Sequence, residues 1–407
     1  MTALSDGPDI NSTPSSPAKP MIRSVQARNL LSFGPDAAPL ELRSLNVLIG
    51  PNGSGKSNLL ELFALARSSP SDIRTVLRKG GGVREWVWKG APNEPAMIDV
   101  IVDNPRGAMP LRHHLSIGAR GQAMQLIDER IENASPHPNN VDPYFYYRYQ
   151  GGGPVLNKRE NTGRRQLSRE DLDPDTSILS QIRDPETFPE LSWMAGCYRS
   201  IRLYREWGFG RNTVFREPQQ ADGRNDLLEE DFSNLGLILN RHRKTPNTRR
   251  EILELLRDLY EGLDEFDISV EGGTVQVFLT EGDYAIPATR LSDGTLRYLC
   301  LLSILCDPTP PPVICIEEPE LGLHPDLLPK VADLLVDASR RTQLLVTTHS
   351  DVIVDSLTSQ PESIIVCEKH GGCSTMRRLD TSELAVWLET YRLGELWSRG
   401  QLGGNRW

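Results

Sequence analysis

Eight residues, Gly50-Pro51-Asn52-Gly53-Ser54-Gly55-Lys56-Ser57, constrain this chain more than any others. They satisfy G-x-x-x-x-G-K-[ST] at every fixed position. Before them runs the apolar segment Leu45 to Ile49; after them Leu59, Leu62, Phe63 and Ala66 share one helical face. A strand entering a helix through such a loop turns backbone N–H groups inward around an anion, and the helix aims its positive end at the same point. Glycine is required where a side chain would block the phosphate oxygens. Lys56 adds a charge at the β/γ-phosphates, and the Ser57 hydroxyl can ligate Mg²⁺. A glycine-rich strand–helix turn with an exposed lysine would carry similar letters; the flanking strand and helix favour the phosphate loop.

The rest of the chain supplies a setting for that loop. In the last third, helix and strand alternate: a helical stripe at Leu296, Leu299, Cys300, Ser303 and Ile304, an apolar strand Val313 to Ile316, a helix Asp326 to Arg341, then strands Leu344 to Thr347 and Ile364 to Val366. Continuous apolar strands between helices indicate a parallel sheet buried on both faces. The middle reads as short strands from Gly80 to Val141, a hairpin around Tyr144 to Pro154, helical periodicity from Ile178 to Trp207 and from Ile252 to Leu259, and a hairpin Phe266 to Leu279. Residues 1–20 are Pro/Ser/Asp-rich and read as a tail.

Composition narrows the class. Of 407 residues, 38% are hydrophobic and 25% charged, as in a soluble globular protein. The apolar runs fall far short of the ~20 residues a membrane span needs. Six cysteines without a C-x-x-C pair suggest reduced core thiols in a cytoplasm. A formal net charge of -10 argues against a surface that coats nucleic acid throughout, while leaving room for a local basic face.

Three further segments bear on the chemistry. Leu291-Ser292-Asp293-Gly294-Thr295 precedes a helix, so Ser292, Asp293 and Gly294 present a second anion-binding surface or an ordinary N-cap turn. Val313 to Ile316 runs into Glu317-Glu318-Pro319-Glu320. Three carboxylates so close repel one another unless a cation sits among them, although an acidic surface turn would look alike. In the metal reading Glu317 faces Mg²⁺ and Glu318 polarises the water that attacks the γ-phosphate. Leu344 to Thr348 leads to His349 at a strand tip, where ligands collect in such sheets; a γ-phosphate contact is expected, with a structural histidine as the alternative.

Together these segments resemble an ABC-type ATPase head of the SMC/RecF/OLD group: Walker A at Gly50 to Ser57, signature at Leu291 to Thr295, Walker B at Val313 to Glu318, a D-loop-like Glu320 to Pro325, and the switch histidine His349. Within that group the chain is most similar to stand-alone RecF-like ATPases with a Glu-Glu-Pro-Glu Walker B followed by Leu323-His324-Pro325 and ending in Leu393 to Trp397 and Gly403-Gly404. The resemblance implies an α/β P-loop NTPase with a mixed, largely parallel sheet flanked by helices. Its core lobe would comprise 21–80 plus 285–407, with an inserted β-rich and helical lobe over about 81–284. It also implies an ATP-dependent homodimer, in which Walker A and B of one copy and the signature serine of the other sandwich ATP. Gln181 would be the Q-loop metal contact beside Ser57 and Glu317. Two departures stand out: the signature is Ser-Asp-Gly-Thr where transporters have Ser-Gly-Gly-Gln, and Glu317 stands where most members have Asp.

The expected activity is ATP hydrolysis with Mg²⁺. A kinase or small GTPase fits worse, because Asn157-Lys158-Arg159-Glu160 lacks the terminal aspartate of N-K-x-D and about 235 residues separate Ser57 from Ser292. Lys158, Arg159, Arg164 and Arg165 form one basic cluster, and Arg243, Lys244, Arg249 and Arg250 another. Head ATPases of this group clamp DNA with basic surfaces, so resemblance and charge suggest double-stranded DNA at these loops, in repair or in defence against foreign DNA. The alternative is a regulatory switch for a separately encoded effector such as a nuclease, without DNA contact. A transporter energy subunit is disfavoured by the signature.

Overall fold

A computed structural model describes residues 19–107, 109–150, 153–157, 164–166, 172–173, 175–208 and 210–404. The expected tail over 1–20 therefore falls almost wholly outside the described residues, as do Lys158 and Arg159.

A six-stranded sheet carries the phosphate loop. Across it the order is Ile201–Tyr204, Val313–Glu317, Gln343–Thr347, Leu45–Ile49, Ile364–His370 and Cys373–Arg378. The first five strands are parallel and the sixth turns back as an antiparallel hairpin. Leu45–Ile49 and Gln343–Thr347 are buried at every position, which accounts for the apolar runs Val47 to Ile49 and Leu344 to Val346 within them. The exception inside the first, Asn46, is fully enclosed, and its amide bonds to Arg43 and to the Leu344 carbonyl of the neighbouring strand.

Alternate side chains of this sheet feed two cores. Val47, Ile49, Ile314, Ile316, Leu344 and Val346 pack with the helices Asp293–Leu305 and Leu328–Ala338. Leu48, Cys315, Leu345 and Ile365 face the helices Lys56–Ser68 and Pro189–Arg199. The second core extends under an eight-stranded antiparallel sheet that begins with Leu40–Glu41, Ile22–Arg28 and Ala96–Val102 and ends at Arg164–Gln166. A third, smaller sheet is built on the hairpin Glu265–Glu271 and Thr274–Glu281 and covers the first core.

The lobes interleave, which the expected boundaries at 81 and 284 miss. Ile22–Arg28, read as core lobe, pairs with Ala96–Val102 of the antiparallel sheet. Ile201–Tyr204, read as part of the insert and as helix, is the first strand of the parallel sheet. Its four residues follow the helix Pro189–Arg199 after Ser200 alone, so their apolar letters continue a helical pattern that the backbone has already left. The remainder of the expected helix resolves into Ile178–Gln181 and Pro189–Arg199. All six cysteines are free, five of them buried. Among the described residues no helix is long and apolar enough to cross a membrane.

One side chain ties the two large sheets together. Gln343, 2% exposed, accepts from the Ile22 N–H at 2.9 Å and donates to the carbonyls of Ile22 and Arg43 at 2.7 and 3.2 Å. Gln343→Leu removes every one of these bonds and leaves buried backbone groups unpaired. A loss of about 2–4 kcal/mol in unfolding free energy is expected from chemical denaturation; an unchanged midpoint would show that water replaces the amide.

Candidate nucleotide-hydrolysis site

The loop after Ile49 reaches the helix Lys56–Ser68 through Gly50 (φ 145°), Gly53 (φ 79°) and Gly55 (φ 103°). Two walls explain the glycines. A Cβ on Gly50 would lie 2.2 Å from the Cys367 carbonyl oxygen, and one on Gly55 2.3 Å from Ser374 Oγ. The loop is thus pressed against the hairpin Ile364–His370/Cys373–Arg378. From another side Gly404, whose N–H donates to Glu368 Oε1 at 3.0 Å, packs on Gly50 Cα. No side chain caps the helix at Gly55, so its first N–H groups remain available to an anion. Lys56, 5% exposed, donates to the Gly50 and Pro51 carbonyls at 2.7 and 3.0 Å. Burial lowers its pKa, and Cys367, Glu318, Glu317 and Glu320 oppose that effect.

The acidic segment arrives by strand register. Glu317 pairs with Thr347 and Thr347 with Leu48, so the ends of three parallel strands stand level beside the loop. There the Ser57 hydroxyl donates directly to Glu317 Oε1 across 260 residues of sequence. The other Glu317 oxygen lies 3.0 Å from Arg205 Nε, and the same guanidinium reaches Glu61 Oε1 at 2.8 Å. Trp207 Nε1 donates to the Glu317 carbonyl at 2.6 Å. Glu318 is held at φ 47°, a left-handed conformation costing a side chain about 1–2 kcal/mol, with its N–H on the Thr347 carbonyl at 3.0 Å. Its carboxylate sits 3.4 Å from His349 Nε2. Glu320 turns away from both, accepting from the His349 N–H at 2.6 Å and Thr348 Oγ1 at 2.8 Å, and burial raises its pKa.

Of the three carboxylates among which a cation is expected, Glu317 is the one that meets the phosphate-loop hydroxyl. Glu317 meets Ser57 and Arg205, whereas Glu318 and Glu320 both meet His349, at its ring and its backbone N–H, and among the described residues no trio of His, Cys, Asp or Glu could hold a metal ion. What adjoins the loop is one carboxylate oxygen and one hydroxyl, Glu317 Oε1 and Ser57 Oγ. Such a sparse set of hard oxygens suits Mg²⁺, which keeps waters and takes phosphate oxygens for its remaining positions. The extra methylene of Glu317 is taken up in reaching Ser57.

Other expected site residues lie apart. Ser292 caps the helix Asp293–Leu305, its Oγ accepting from the Thr295 N–H at 3.1 Å, and Asp293 pairs with the buried Arg216. Gly294 abuts Gly322: an added Cβ would lie 2.9 Å from the Gly322 carbonyl. Ser292, Gly294, Gly322 and His324 line a hollow of about 460 Å³ that includes no phosphate-loop residue. Gln181 does not join the site. Its amide bonds to Asp173 and Thr176 within the β-rich part of the chain.

Of the second basic cluster, Arg243 pairs with Asp267 and Arg249 with Glu265. Arg164 and Arg165 lie in the last strand of the antiparallel sheet. The sequence carries no signal for Arg205 and Trp207, because the short strand Ile201–Tyr204 that leads to them hides in a helical pattern, nor for Glu61, a polar position on the helix Lys56–Ser68. A cleft of about 1040 Å³, bordered by Arg67, Thr75, Phe215 and Glu230, opens beside Arg205.

With this geometry in hand, comparison with known proteins is informative. The family profile described as "AAA domain, putative AbiEii toxin, Type IV TA system" matches residues 45–355. The fold is similar to an Smc head bound to the C-winged helix domain of ScpA, with a TM-score of 0.55, 15% identity, and 89% of this chain and 99% of that chain covered. It is also similar to the Smc head domain with an extended coiled coil bound to the C-terminal domain of ScpA from Pyrococcus furiosus. There the TM-score is 0.52 at 14% identity, with 91% and 99% covered. No curated protein matches the chain by sequence. At these identities the structural likeness speaks for the fold.

The walls around the loop give a direct test. Gly50→Ala forces a Cβ into the Cys367 carbonyl at a φ that side chains avoid. ATP affinity is expected to fall about 10–100-fold in a fluorescent-nucleotide titration, and wild-type affinity would mean the loop relaxes freely.

Proposed function

Because this chain belongs to the AAA-domain family matched over residues 45–355 and is an ATPase with the fold of an SMC head, we propose that two copies close on ATP and hydrolyse it between them. The Ser57–Glu317 contact, joining phosphate loop and strand end, carries the reading. The loop N–H groups and Lys56 bind the β- and γ-phosphates; Lys56 must leave the Gly50 and Pro51 carbonyls to do so. Ser57 Oγ and Glu317 Oε1 would hold Mg²⁺, which when bound neutralises charge on the phosphate oxygens. Glu318 takes the proton of the attacking water, and His349, 3.4 Å away, orients that carboxylate and meets the γ-phosphate.

The second copy completes the anion site. Ser292 and the N-terminus of its helix border a hollow with Gly322 and His324 and make no contact with their own phosphate loop among the described residues. A partner's triphosphate is the natural occupant, so ATP stabilises the dimer by mass action.

For the output of the cycle we infer defence against foreign DNA or DNA repair, in the cytoplasm. The family description names a toxin of a type IV system, and the two similar heads are complexes with another protein. A switch that controls a separately encoded effector such as a nuclease, without touching DNA, is the second reading. It is favoured by the pairing of Arg243 and Arg249 with carboxylates, which leaves less positive charge for phosphates.

Two experiments test these readings. Glu318→Gln should retain ATP binding, accumulate the dimer by mass measurement in ATP, and lose turnover by about 10²–10⁴-fold, whereas hydrolysis near the parental rate would reject the assigned base. Changing Arg243, Lys244, Arg249 and Arg250 to Glu should abolish salt-sensitive binding of double-stranded DNA if DNA is the partner. Binding and DNA-stimulated ATPase that stay unchanged would exclude contact at this cluster and favour the switch.

A further inference from the structure

Among the described residues Arg205 is the one cation that bonds to the Glu317 carboxylate, and its arrangement is specific. Nε lies 3.0 Å from Glu317 Oε2 and Nη1 2.8 Å from Glu61 Oε1, with all three side chains between 19% and 28% exposed. Glu61 stands one turn beyond Ser57 on the helix that leaves the phosphate loop, so the guanidinium clamps the end of one strand to that helix. Burial alone would lower the Arg205 pKa, but Glu61 and Glu317 hold it above the ordinary value, so the charge is permanent.

The segment that presents it is fixed. The Leu203 N–H donates to Glu230, which also pairs with Arg67; Trp207 donates to the Glu317 carbonyl, stacks on Phe232 with ring centres 5.2 Å apart, and lies under the Arg297 guanidinium. Arg205 is therefore pre-set rather than a mobile surface arginine that happens to land on a carboxylate.

The charge arithmetic gives this clamp a consequence. Glu61 and Glu317 together carry -2, and Arg205 reduces the group to -1 while occupying one of the two Glu317 oxygens. A bare divalent cation entering at Glu317 Oε1 and Ser57 meets about half the attraction it would find without the Arg205 charge. A triphosphate on the loop restores the missing negative charge.

We propose that Arg205 makes divalent-cation binding at Glu317 conditional on nucleotide, so that the site stays empty of free Mg²⁺ and fills only with the triphosphate. Arg205 acts through Glu317 as a positioning residue. The inference rests on the reading of Ser57 and Glu317 as the cation site.

The test titrates MnCl₂ into the full chain and follows bound Mn²⁺ by electron paramagnetic resonance, with and without the non-hydrolysable analogue AMP-PNP. Wild type should take up Mn²⁺ tightly only with AMP-PNP. Arg205→Gln should bind Mn²⁺ without nucleotide on the order of tenfold more tightly than wild type. Adding Glu317→Ala should erase that gain, and Arg205→Lys, which keeps the charge, should stay near wild type. Glu61→Gln covers the case in which Arg205→Gln does not fold. It leaves the guanidinium to Glu317 alone and should weaken Mn²⁺ binding in AMP-PNP several-fold.

A folded Arg205→Gln with wild-type Mn²⁺ affinity, or a gain that survives Glu317→Ala, overturns the proposal. So does wild-type Mn²⁺ binding by Glu61→Gln in AMP-PNP. Failure of the underlying reading looks different: wild type would gain no Mn²⁺ site on adding AMP-PNP, or Glu317→Ala would leave that site intact.

Discussion

The hydrogen bond from Ser57 to Glu317 is the contact on which the rest of this molecule depends. It exists because three parallel strands end level, Leu48 beside Thr347 beside Glu317, and because the loop that follows the first of them must be glycine wherever it meets the Cys367 and Ser374 walls. A phosphate loop alone binds anions. A carboxylate placed at its hydroxyl turns it into a site that can share a cation with the bound phosphate.

Negative charge around that contact is dispersed rather than concentrated. Glu317 is shared between Ser57 and Arg205, Glu318 faces His349, and Glu320 is spent on the His349 N–H and on Thr348. Each carboxylate therefore meets a different set of atoms, and a distinct role is open to it. Glu320 ties the His349 loop to the turn after Val313–Glu317, which fixes the histidine beside Glu318. The strained backbone at Glu318 fits a residue whose direction matters more than its local stability.

Much of this was legible in the sequence, for physical reasons. The loop letters, the apolar strands buried on both faces and the histidine at a strand tip each follow from short-range rules, and the structure brings Lys56, Ser57, Glu317, Glu318 and His349 to one place. What escaped depends on long-range pairing. Ile22–Arg28 and Leu45–Ile49 are near in sequence yet belong to different sheets, and Ile201–Tyr204 is too short to announce itself after a helix. Gln181 is implied as a metal contact by the resemblance alone, and its amide is occupied by Asp173 and Thr176. Arg205 carries no motif; only its position beside Glu317 marks it.

The central claim is that Ser57 and Glu317 serve one metal-bound triphosphate as a single unit. A double-mutant cycle on Mg²⁺-dependent ATP affinity tests it most directly, using Ser57→Ala, Glu317→Ala and the pair. The account predicts strong coupling, with the double variant losing little more than the worse single variant. Losses that simply add would mean that the two side chains act independently, and the site as described would be wrong.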